Sequence, residues 1–129
     1  MNGCVLLPVW RNRLSLWRKH VRKRRQLTEL TIDLHQAPPE SQPCICSLLV
    51  ILAVPSAFSF RGQWQPRHKE AMGLLSHTAP DLHRAIDGAL RAHSAEAYRD
   101  LQSRIRTLLE PVGGWAGPPI EFTQGEWRP

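Results

Sequence analysis

The sequence predicts a mainly α-helical protein: a small antiparallel helical hairpin or three-helix unit with irregular or disordered termini. Three observations carry that expectation. Apolar residues recur at helical spacing over 82–90 and again over 97–109. Capping residues and acid-before-base pairs accompany both runs. The remainder is broken by all eleven prolines, which end helices and central strands and so exclude one continuous compact fold. A length of 129 residues allows one domain and no elaborate multi-domain enzyme. Charged residues at 22% and hydrophobic residues at 42% lie near the globular average, which argues against wholesale disorder.

The first segment, 1–26, is a basic arm. It holds eight Lys and Arg and no acid, whereas the whole chain carries only +6. The positive charge is therefore a property of this arm and not of the whole surface. Its densest run is Arg18-Lys19-His20-Val21-Arg22-Lys23-Arg24-Arg25. Trp10, Leu14, Trp17 and Val21 fall on one helical face, so the arm reads as a basic amphipathic helix. Arg18, Lys19, Arg22, Lys23, Arg24 and Arg25 are the candidate receptor- or nucleic-acid-binding residues. Import receptors read such runs, and phosphate backbones attract them. Anionic lipid and grooves for basic helices suit the same chemistry, as does a mitochondrial presequence. A solvated basic tail is the plain alternative. A nuclear or nucleolar address is the leading specific reading.

Residues 27–43 read as a polar linker ending in Pro38-Pro39-Glu40 and Pro43. The next segment, 44–60, is apolar, and no charge occurs between Glu40 and Arg61. Mean hydropathy over 42–60 is about 1.8, at the edge of the membrane-spanning range. As a span it would leave the basic arm on the cytoplasmic side. As a buried element it would supply core, and Val50, Ile51 and Val54 lean toward a strand.

Residues 66–110 form the helical unit. A weaker helix spans about 66–76. The next starts at Thr78-Ala79-Pro80-Asp81, with Thr78 able to cap and Pro80 in the first turn. Ser94 caps the last helix, and Pro111 stops it. Glu96–Arg99 and Asp100–Arg104 have the favourable order on its outer face. Leu82, Ile86, Leu90, Tyr98, Leu101 and Ile105 are the candidate packing and partner-binding residues. A unit of about 45 residues buries too little surface to stand alone, so a protein partner or another segment must cover it. The segment 111–129 is a Gly/Pro/Trp tail.

Chemistry is sparse. Cys44-Ile45-Cys46 lacks the second ligand pair a zinc site needs. His83 and Asp87 share a helical face, but no nucleophile motif accompanies them. No phosphate-cradling glycine loop, HExxH or GxSxG occurs. No catalytic residue, metal site or cofactor is expected. The leading function is a non-enzymatic interaction or adaptor protein with a basic arm for nuclear targeting or nucleic-acid binding. The alternative is a single-pass membrane protein spanning at 44–60. Limited proteolysis is expected to leave a C-terminal fragment, with the N-terminal half as an appendage.

Overall fold

A computed structural model describes the backbone of residues 3–117 and the side chains of residues 17–117. Among the described residues there are five α-helices and no strand. They are α1 (Gly3–Gln36), α2 (Gln42–Ser59), α3 (His68–Thr78), α4 (Pro80–Ala92) and α5 (Ala95–Leu109), followed by a 3-10 turn at Glu110–Val112. The protein is thus mainly helical, but it is larger than a hairpin or three-helix unit. The N-terminal half joins the same core as the C-terminal half.

α2 is the centre of that core and contacts all four other helices. Its apolar residues are spread around the whole circumference, as expected of a helix buried by neighbours on several sides. Cys46, Leu49, Ala53 and Ala57 are fully buried. The lean toward a strand at Val50, Ile51 and Val54 is corrected: all three lie within α2. Enclosure by helices outweighs their local preference, because β-propensity depends on context. Pro55 sits inside α2 and cannot donate to the Ile51 carbonyl. Ile51 is exposed and Pro55 half-buried, so the missing bond falls on the helix's outer flank.

The residues read as a polar linker are mostly helix. Leu27 and Leu34 are fully buried on α1, with Thr28 and Thr31 between them. These threonines bury their hydroxyls by donating to Arg24 O (2.8 Å) and Leu27 O (2.7 Å). The irregular connection shrinks to the residues around Pro38-Pro39-Glu40. Gln42 then ties the hairpin, its Nε2 donating to Leu34 O at 3.2 Å. Among the described residues, the prolines leave five helices packed on one core. Pro43 and Pro80 lie in first turns, where their missing N–H costs nothing.

The C-terminal helices follow the expected pattern with local changes. Thr78 ends α3 instead of capping α4, whose N-cap is Ala79. Ser94 caps α5, accepting from Ala97 N at 3.2 Å. His93, between α4 and α5, takes a left-handed backbone (φ 45°). Its Nδ1 lies 2.8 Å from the Tyr98 hydroxyl. The expected Glu96–Arg99 and Asp100–Arg104 pairs are not made. Arg104 reaches Asp81 of α4 instead, at 3.7 Å.

Candidate nucleic-acid interface

α1 is the longest helix, 34 residues against 18 for α2, or about 51 Å against 27 Å at 1.5 Å per residue. The two run antiparallel, and α2 ends opposite His20. The His20 and Phe60 rings meet edge-on at 5.3 Å, and Ser59 Oγ lies 3.4 Å from His20 Nε2. The helix N-terminal to His20 therefore projects past the end of α2. Trp10 and Leu14 of the apolar stripe lie outside the residues whose side chains are described. Trp17 and Val21 are exposed at 64% and 38%.

The six basic candidates divide by face. Arg18, Lys19, Arg22 and Arg25 are exposed, and Arg18, Arg22 and Arg25 form an outward row at i, i+4 and i+7. No ion pair among the described residues involves them. Lys23 is half-buried, and its pKa is lowered by burial and by the charge on Lys19. Glu29, exposed four residues after Arg25, is the first acid in the chain and makes no ion pair with these cations, so the crowded like charge favours an incoming anion.

Arg24 has a different role. Its Nε donates to Gly114 O at 2.6 Å, and its Nη2 donates to Gly113 O (3.1 Å) and Trp115 O (2.7 Å). Thr28 Oγ1 accepts from Ala116 N at 3.0 Å. Arg24 thus clamps the turn that follows α5. Gly113 and Gly114 have φ of 105° and 78°, a geometry open to glycine and strained for most other residues. It turns successive carbonyls toward one guanidinium. The tail from Pro118 onward lies outside the described residues.

Five of the six residues expected to dock a partner are used inside the bundle. Leu82 is 5% exposed, and Ile86, Tyr98, Leu101 and Ile105 are fully buried. α1 and α2 supply the missing cover. Leu90 alone remains at the surface, 38% exposed.

The minor chemical candidates separate. Asp87 takes Arg91 Nε at 3.0 Å on both carboxylate oxygens, on an exposed face. Cys44 is exposed and Cys46 buried. Among the described residues, no three His, Cys, Asp or Glu gather closely enough to hold a metal ion.

Sequence reasoning left residues 61–65 unassigned. They carry Trp64, which is 92% exposed, and Arg61, which donates to Thr78 O. A signal was available: from Ser41 to Lys69 the chain has no acid, yet bases return at Arg61, Arg67 and Lys69.

No family model, curated protein or solved structure matches the chain.

Proposed function

We propose that this protein is a non-enzymatic interaction module whose helical bundle displays a basic helix to nucleic-acid phosphate. One observation carries the reading. Arg18, Lys19, Arg22 and Arg25 are exposed together where α1 leaves the bundle, and no carboxylate among the described residues pairs with them. A rigid helix presents these charges at fixed spacing, which a disordered tail does not. Phosphate contacts of this kind are sequence-independent and weaken steeply with salt. A nuclear or nucleolar location follows as part of the proposal, because import receptors read the same run.

The membrane alternative has one observation in its favour. α2 has 18 residues and a mean hydropathy of 1.7. It would, however, remove from the bundle the helix that contacts every other one. Resistance of the full chain to carbonate extraction is the result that would favour it.

The test of the main reading is the salt dependence of binding to a duplex of about 20 base pairs. Replacing Arg18, Arg22 and Arg25 by alanine removes three charges and leaves the core packing intact. The slope of log K against log salt is expected to fall by about 2 to 3, near 0.9 for each phosphate no longer neutralised. An unchanged slope overturns the proposal. The same triple variant is expected to lose nuclear accumulation in cells. It is a cleaner probe than deleting residues 1–26, which also removes Arg24 and its clamp.

A further inference from the structure

Trp64 is the most exposed large apolar side chain among the described residues, at 92%. It stands on the linker between α2 and α3, beside a cleft of about 600 Å³. Ile51, Pro55 and Phe58 of α2 form one wall, and Pro66 and Met72 close the other side. Arg67 and His68 line the same cleft, and no carboxylate does. Glu70 of α3 is exposed and does not line the cleft. An indole left in water above apolar walls, with the Arg67 guanidinium on the same cleft, matches a base and its phosphate together.

Position adds a second argument. The linker leaves α2 at Phe60, whose ring meets His20. It therefore starts where α1 departs from the bundle with its exposed arginines. The linker is thus rooted one residue beyond a contact with the basic run, forty residues away in sequence.

We infer that the Trp64 cleft is a base-stacking subsite, and that the nucleic acid held by the basic helix is single-stranded. Duplex bases are already stacked on one another and offer no face to an indole. Unpaired bases do, while their phosphates still meet arginine and lysine. This inference rests on the phosphate-binding reading above and adds the class of strand and the residue that selects it.

The test uses the full-length chain with a fluorescent oligothymidylate of about 16 nucleotides, a duplex of equal length, and polyglutamate as an anion without bases. Trp64→Ala is expected to weaken oligothymidylate binding about five-fold or more, and to leave duplex and polyglutamate binding unchanged. Trp64→Phe is expected to restore most of the loss, because phenylalanine keeps an aromatic face. Circular dichroism of both variants should match the wild type, since Trp64 is exposed. If Trp64→Ala leaves oligothymidylate binding intact while the arginine triple variant weakens it, the stacking subsite is overturned and phosphate binding stands. If Trp64→Ala weakens all three ligands alike, Trp64 does not read bases, and polyglutamate loss points to an acidic protein partner. If the wild-type chain binds neither nucleic acid, both the inference and the reading beneath it fall.

Discussion

Arg24 lies in the middle of the basic run, yet its guanidinium is turned into the bundle and donates to three consecutive carbonyls. Hydrogen bonds from a charged donor contribute about 1.5 to 3 kcal/mol. Arg24→Ala is therefore expected to lower stability by roughly that amount in urea unfolding, whereas Arg22→Ala on the exposed row should change it by less than about 0.5 kcal/mol. Equal effects would refute the clamp. Nothing in the sequence separates these two arginines. Composition shows eight cations in one arm, but which of them turns inward depends on the rotation of α1 against its neighbours. The inward row, His20, Arg24, Leu27, Thr31 and Leu34, has only two large aliphatic residues. The other three make polar contacts on that face, to Ser59, to the Gly113–Trp115 turn and to Leu27 O. A periodicity scan registers Trp10, Leu14, Trp17 and Val21 instead.

Two buried acids at the same scale set an alkaline limit. Burial pushes the Cys46 thiol from 9.0 up to about 11. Burial, and then the neighbouring Cys46, pushes the Tyr98 hydroxyl from 10.0 up to about 12. Each is held neutral in the folded chain while its unfolded counterpart ionises first. The unfolded state then binds fewer protons, so stability falls as pH rises. The contribution of the pair is complete below pH 9 and declines across about 9 to 12. Urea midpoints measured against pH should be flat on this account up to about pH 9 and then drop. Tyr98→Phe should flatten the limb above about pH 10, at the cost of the His93 contact at all pH values. An identical limb in that variant would show that another group is responsible.

Among the elements, α2 was the least legible. Its residues are apolar on all sides, and such a run satisfies a buried strand, a core helix and a membrane span about equally. The structure builds it as an 18-residue helix packed against four others, which sets the strand aside by contacts that lie outside the segment's own sequence. α4 and α5 were legible because caps, stripes and connection length agree with one another. Ser94 performs the role its position predicts. Thr78 does not, because α3 runs on through it and claims it as a last residue. The importance of α2 is measurable: Leu49→Ala, at a fully buried central position, is expected to cost about 2 to 5 kcal/mol. A loss below about 1 kcal/mol in thermal or urea unfolding would mean that α2 is not the packed centre.

For the molecule as a whole, the division into an N-terminal appendage and a stable C-terminal unit is replaced by one shared core. The shortage of large apolar residues in 66–110 was informative, because it pointed to cover from elsewhere. Leu27, Leu34, Leu49 and Phe58 supply that cover from the same chain. Limited proteolysis is accordingly expected to yield a resistant fragment that begins before residue 27. A resistant core beginning after residue 60 would restore the appendage view. The candidate interface was half legible. Its cations were visible as a run, but the proposed Trp64 subsite was not, because only folding brings Phe60, where that linker begins, against His20.

The Arg24 clamp joins residues 90 positions apart in the chain. Closing a loop of that size is entropically slow compared with docking α3, α4 and α5 on one another through short connections. The clamp should therefore form after the rate-limiting barrier to folding has been crossed. Interactions absent from a transition state govern how fast the native state opens, not how fast it is reached. The stability removed by Arg24→Ala should then appear almost entirely as faster unfolding. In a chevron plot the unfolding limb should rise while the refolding limb stays in place, which makes one arginine a determinant of the protein's lifetime in the folded state.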